Sequence, residues 1–185
     1  MTEDLKAQPP ANRLTGSPTL LNSMKPTKLS DLLEAVDFDS DERVTKVDLQ
    51  EGVIVSFDTD ILSALEEDDQ ETLDSLPEWQ QEEIEEARVV VSDSGERFIN
   101  TPSKFDFHEY RHMERFISTV ADEASAEELF RAIKGRGAFR HFKDTASRLG
   151  LLEDWHLYRE QALKRFVTEW AEWKQVPIVD DTLQK

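Results

Sequence analysis

Two short stretches of this chain hold residues whose types and spacing could do chemistry. The first, His108-Glu109-Tyr110-Arg111-His112, reads H-E-x-x-H. On a helix, histidines four apart share a face and can hold Zn²⁺, while the glutamate serves as base for a metal-bound water. The surroundings argue against that use. Asp106, Arg111 and Glu114 put charge around a helix that such hydrolases bury, and no third-histidine extension follows. A third ligand would have to come from Asp122, Glu123, Glu127 or Glu128. The competing reading makes His108, Arg111, His112 and Arg115 an exposed helix face opposite Tyr110, Met113 and Ile117. No metal is therefore assigned, and a zinc-dependent hydrolase using His108 and His112 stands as the alternative.

The second stretch runs from Lys134 to Asp144, Lys-Gly-Arg-Gly-Ala-Phe-Arg-His-Phe-Lys-Asp. Between Arg131 and Arg148 stand six Lys/Arg and one carboxylate, Asp144, in a chain of net charge −18. The rest of the chain holds 16 basic and 39 acidic residues. Such a reversal implies a partner, inside the fold or outside it. As a structural corner, Gly135 and Gly137 turn the chain between two helices, Phe139 and Phe142 anchor the second, and Arg136, Arg140 and Lys143 pair with acidic helices. As a binding element, Arg136, Arg140, His141 and Lys143 join the free amides of a helix start to hold a phosphate or carboxylate. A third reading is contact with an RNA or DNA backbone, joined by His108, Arg111, His112 and Arg115 if the two helices are neighbours. Bare glycine spacing does not decide among these, being neither a Walker loop nor a dinucleotide fingerprint. With 40 carboxylates in the chain, no paired-carboxylate or Ser/His/Asp constellation can be singled out.

The elements that must position these residues follow from composition and period. A chain of 185 residues is long enough for one domain and needs no disulfide or metal staple. The absence of cysteine excludes thiolate ligands and nucleophiles. No apolar run approaches membrane-spanning length, and the acidic balance works against non-specific nucleic-acid or lipid binding. Residues 1–25 read as a disordered leader and residues 178–185 as a flexible tail, with one domain over residues 26–177. Leu29, Leu32, Leu33 and Val36 predict a short helix capped by Ser30. Val44–Leu49, a Gln50-Glu51-Gly52 turn and Val53–Phe57 predict a β-hairpin, after which Asp58 or Asp60 caps a helix. From Glu66 to Glu86 there are 11 carboxylates and no Lys or Arg. Leu73, Leu76, Trp79 and Ile84 recur there, which predicts an amphipathic acidic helix. A strand pair over Arg88–Val91 and Arg97–Asn100 is expected next. The remainder reads as four helices: Asp106 to about Ala121, Ala126–Lys134, Ala138–Leu149 and Glu153–Lys174. Capping boxes Asp106/Glu109 and Ser125/Glu128 open the first two. Trp155, Tyr158, Ala162, Phe166, Trp170 and Trp173 form one face of the last helix and are read as core.

The block Gly135-Arg136-Gly137-Ala138-Phe139-Arg140, then Phe142-Lys143-Asp144, then Trp155 and Glu169-Trp170, resembles a bacterial uncharacterised protein family. Its hallmark is a Gly-basic-Gly-Ala-Phe-Arg-basic-Phe block followed by a tryptophan-bearing terminal helix. The likeness is best over Tyr110–Pro177, extends loosely back to Lys28, and is absent from the leader. The resemblance implies no catalytic residues and no cofactor. His141 stands where the family pattern leads one to expect arginine, which makes that charge pH-dependent.

The expectation is an α+β domain, with a small antiparallel sheet and acidic helices in the N-terminal half and a helical C-terminal half. Its expected role is that of a non-catalytic cytoplasmic binding or regulatory module. The expected contact surface comprises Gly135, Arg136, Gly137, Arg140, His141 and Lys143. Its partner would be a protein or a phosphate-bearing ligand, with a homo-oligomer allowed and no membrane.

Overall fold

A computed structural model describes residues 24–182. The leader expected over residues 1–25 lies outside the described residues as far as residue 23, as do residues 183–185 of the expected tail.

The buried positions Leu29, Leu32 and Val36 fall on one face of α1 (Leu29–Asp37). Ser30 does not cap it. The Ser30 amide and hydroxyl instead donate to Asp181, at 3.0 and 2.7 Å. The hairpin forms as its turn residues dictate: β2 (Arg43–Asp48) runs antiparallel to β3 (Val53–Asp58), with Gly52 at φ +68° in the turn. Its glycine is also a packing requirement, because a Cβ there would stand 2.7 Å from the Pro26 carbonyl oxygen. The strand expected over Arg88–Val91 is a helix. Ile84, Ala87 and Val90 keep a three-residue spacing and all are buried within α4 (Gln81–Ser92), so the valine run continues a helical face. The third strand is β4 (Phe98–Asn100), which pairs antiparallel with β2 and gives the sheet order β3-β2-β4.

Alternation along the strands builds two cores, one on each face of this sheet. Val47, Ile54 and Ile99 face α1 and the C-terminal half of the long last helix. Val44, Val55, Phe57 and Phe98 face α2 (Thr59–Glu66), α3 (Gln70–Ser75) and α4. Asp58 caps α2 by accepting from the Asp60 amide at 2.9 Å. The acidic segment is thus α3, a single 3₁₀ turn (Glu78–Gln80) and the first half of α4. Leu73 and Ile84 are buried there, whereas Trp79 is exposed.

A third core belongs to the helical half. The chain passes through α5 (Lys104–Phe107), α6 (Glu109–Ile117), α7 (Glu123–Ala132), α8 (Ala138–Arg148) and α9 (Leu152–Lys174). Met113, Phe116, Leu129, Ile133, Ala138, Phe142, Ala146 and Trp155 close around one another. The caps differ from those expected. Ser103 and Asp106 form the capping box, opening α5 rather than a helix that runs on to Ala121. Asp122, not Ser125, caps α7, accepting from the Ser125 amide at 2.8 Å. In both cases a carboxylate or hydroxyl three residues earlier was available and won. Along the aromatic stripe of α9 Trp155, Ala162 and Trp170 are buried and Tyr158 and Phe166 partly buried, but Trp173 is exposed.

The stretch expected as a flexible tail from residue 178 carries a short strand in its described part. There β5 (Ile178–Val179) pairs in parallel with β1 (Thr27–Lys28). Lys164 reaches Asp180 at 2.7 Å, and the Lys164 and Thr182 contacts hold the Asp180 carboxyl down at about 2. The sequence offered only Val-Pro-Ile-Val there, too short to declare a strand without its partner.

Candidate functional site

The basic element forms a corner between α7 and α8. After Ile133 the chain turns through Gly135 (φ +90°) and Gly137 (φ +81°), both in the left-handed region where a Cβ is disfavoured. Nothing stands within 4 Å of a Cβ added at Gly135. Its glycine therefore answers a backbone requirement rather than a close approach. At Gly137 the same test meets the His141 ring at 3.7 Å, so that imidazole folds back over the corner.

Ala138 and Phe142 point inward from α8, whereas Phe139, expected to be an anchor, is 47% exposed. Three residues before Phe142, it stands at the margin of the buried face, whose row runs through Ala138, Phe142 and Ala146 at four-residue spacing. Arg136, Arg140, His141 and Lys143 are all exposed. No side chain caps α8, and its first turn carries no carboxylate.

Pairing of these cations with the acidic helices is not found. Among the described residues Arg140 reaches only Asp144, at 3.8 Å, in a pair whose side chains are 88% and 71% exposed. Among the described residues neither Arg136 nor Lys143 has a carboxylate within 4.0 Å. Within Glu66–Glu86, Glu83 pairs with Arg43 at 3.1 Å and Glu85 with Arg88 at 3.5 Å. The corner belongs to the third core and the acidic helices to the second, with the sheet and α9 between them. Cations that do have partners flank the corner: Arg131 meets Glu127 at 2.8 Å, and Arg148 meets Glu128.

The H-E-x-x-H stretch does not lie on one helix. His108 sits at φ +50° between α5 and α6, a left-handed residue that breaks the helical register with His112. Glu109 is committed elsewhere: Arg159 of α9 donates to it at 3.0 Å and to Asp37 of α1 at 2.9 Å. This bridge ties three helices together and removes the base that zinc hydrolysis would need. No group of three His, Asp or Glu suited to a metal occurs among the described residues.

His112 stacks on Phe107 with ring centroids 4.2 Å apart. Burial, then the neighbouring Arg115 and Arg165, push its imidazole below the ordinary histidine value. His108, Arg111, His112 and Arg115 line a cleft of about 290 Å³ together with Arg165, Phe166 and Glu169 of α9. The expected exposed face of α6 is thus one wall of a cleft. Sequence reasoning missed Arg165 and Arg159. Both sit on α9 far along the chain from what they meet, Arg159 being 50 residues from Glu109 and 122 from Asp37, and no local pattern announces such a pairing.

The architecture is a mixed α+β one: a three-stranded antiparallel sheet with a helical C-terminal half. A family model described as Uncharacterised protein family (UPF0158) matches residues 24–184, and the chain belongs to that family. The match reaches further at both ends than the likeness read from the corner block and terminal helix. No curated protein and no solved structure matches the chain. No helix among the described residues is long and apolar enough to cross a membrane.

Proposed function

We propose that this protein is a non-catalytic binding module that engages an acidic protein surface through the α7–α8 corner. The observation that carries this reading is the exposure of Arg136, Arg140, His141 and Lys143 with Asp144 as their one carboxylate contact among the described residues, in a chain of net charge −18. Cations placed away from an abundant internal supply of carboxylates are available to external ones. Half-exposed Phe139 on the same turn adds apolar contact area, as protein interfaces use. The overall negative charge opposes long-range attraction to any anionic partner, and most strongly to nucleic acid with its dense line of phosphates, which disfavours that alternative. Hydrolysis through His108 and His112 has less support still, since Glu109 is occupied by Arg159. A cytoplasmic location is part of the same proposal.

The test is the double variant Arg136→Ala/Arg140→Ala, measured against a fluorescently labelled acidic peptide and a single-stranded oligonucleotide at low salt. Binding of the peptide by the wild type, its loss in the variant, and an unchanged melting temperature are expected. A large drop in melting temperature would assign the two arginines to holding the corner. Preference for the oligonucleotide, with affinity falling steeply as salt rises, would transfer the surface to nucleic acid.

A further inference from the structure

The cleft between α5, the start of α6, and α9 is chemically unlike the corner. It is concave, with a volume of about 290 Å³, near the lower end of the range for small-molecule sites. Three guanidinium groups line it, Arg111 and Arg115 from α6 and Arg165 from α9. None has a carboxylate within 4.0 Å among the described residues, although Glu169 lines the same cleft and follows Arg165 by one turn. The other carboxylate at the cleft, Asp106, is engaged by the Ser103 amide at 3.3 Å in the capping box of α5. Positive charge is therefore in excess.

The field of those arginines is felt inside the cleft. Arg115 and Arg165 both disfavour the charged form of His112, in addition to its burial. The cleft is backed by aromatic rings: Phe107, itself buried, stacks on His112, and partly buried Phe166 lies 5.7 Å from Phe107. His108, held at a positive φ that a side-chain-bearing residue rarely adopts, adds a second imidazole.

We infer that this cleft binds a small organic phosphomonoester, its phosphate on Arg111, Arg115 and Arg165 and its organic body against the partly exposed ring of Phe166. Arginine forks match phosphate oxygens in geometry and stay charged at every accessible pH. The partly exposed ring of Phe166 beside the arginines offers an apolar contact that a bare phosphate ion would not use. This site is separate from the corner, so either proposal stands or falls alone.

Titration calorimetry on the full chain with inorganic phosphate, phenyl phosphate and benzoate tests it. Phenyl phosphate should bind, with inorganic phosphate weaker by on the order of tenfold and benzoate weaker again. Arg165→Gln or Arg111→Gln should each reduce phenyl phosphate affinity on the order of tenfold or more, whereas Arg136→Ala/Arg140→Ala should leave it unchanged. All three cleft arginines are exposed, so the variants are expected to fold.

A second readout is the His112 imidazole followed by NMR. It is faced by Arg115 and Glu109 of its own helix, Arg165 and Glu169 of α9, and Asp106 and His108 of the preceding turn. Phenyl phosphate should raise its pKa by offsetting the arginine field. Equal affinity for phosphate and phenyl phosphate would overturn the organic carrier and leave free phosphate as the ligand. No binding of either at millimolar concentration, or binding that survives loss of Arg165, would overturn the site.

Discussion

Residues 24–102 and residues 103–174 treat their charges in opposite ways. The first region holds 6 basic and 23 acidic side chains; the second holds 13 of each. Nearly all the net charge of the protein therefore sits on the sheet and its acidic helices. In the acidic region Lys25, Arg43, Arg88 and Arg97 all find carboxylates. In the balanced region, among the described residues, only Arg131, Arg140, Arg148, Arg159 and Lys164 do, and Arg140 barely so. Excess acid alone would raise the paired share on the first side. It does not explain why Arg111, Arg115, Arg136, Lys143 and Arg165 avoid equally numerous carboxylates on the second. Cations in the acidic region hold the fold, and those left free in the helical region are concentrated at the corner and the cleft.

The two regions also differ in what stabilises them, and the largest expected effect tests that. Trp155 is fully buried, with Phe142 at 4.9 Å and Phe116 at 5.5 Å. Trp155→Ala should cost about 3–5 kcal/mol, measured by urea unfolding, because the third core cannot close over so large a void. Trp155→Phe should cost far less, since the buried indole N–H has no hydrogen-bond partner to lose. Equal loss from both would show that shape rather than volume governs this core.

In the acidic region the corresponding anchor is ionic. Asp48 has a nearly buried carboxylate that accepts from Arg97 at 3.0 and 2.6 Å and from the Gln50 and Glu51 amides at 2.9 and 3.3 Å. Burial alone would raise its pKa, but the Arg97 and amide bonds outweigh it and hold the value below 3.8. Asp48→Asn should cost about 2 kcal/mol at pH 7. A depressed folded pKa means that this stability is complete above the unfolded value and is lost as pH falls through the folded one. The difference between wild type and variant should therefore shrink below pH 3.8. A gap that stays constant down to pH 2.5 would deny the carboxylate its electrostatic role.

Arg159 joins the regions. It binds Asp37 of α1 and Glu109 of α6 from α9, so one side chain links helices of two cores that also share Tyr158. The Arg159→Ala change should cost about 1–2 kcal/mol, less than the Asp48 change because the bridge is partly solvated. It should also loosen α6 against α9 and weaken phenyl phosphate binding at the cleft without touching its arginines. Full retention of both would separate the bridge from the site.

What could be read from the sequence divides along the same boundary. The hairpin was legible because its signals are local: alternating apolar residues, with a glycine where positive φ is needed. So was α9, whose apolar period runs for six turns. The Arg88–Val91 segment misled because β-branched residues favour strands in isolation, while burial of Ile84, Ala87 and Val90 together decided for helix. Caps slipped by one candidate because several Asp and Ser residues compete near each helix start. The corner was legible as a charge reversal with two glycines. The cleft was half legible: its α6 wall stood out as a false zinc motif, while its α9 wall carries no signal until the fold brings Arg165 across.

The smallest expected change in stability is the most informative about the corner. Arg136 and Arg140 are exposed, and surface pairs such as Arg140 with Asp144 contribute about 0–1 kcal/mol. Removing both side chains also lowers the repulsion within a cluster of six cations and one carboxylate, which offsets any lost pairing. The double alanine variant should therefore unfold within about 0.5 kcal/mol of wild type, and a slight gain is as consistent with exposure as a slight loss. A fall as large as that expected for Asp48→Asn would mean that the corner cations hold structure as Arg97 does, and the contrast between the two regions would vanish.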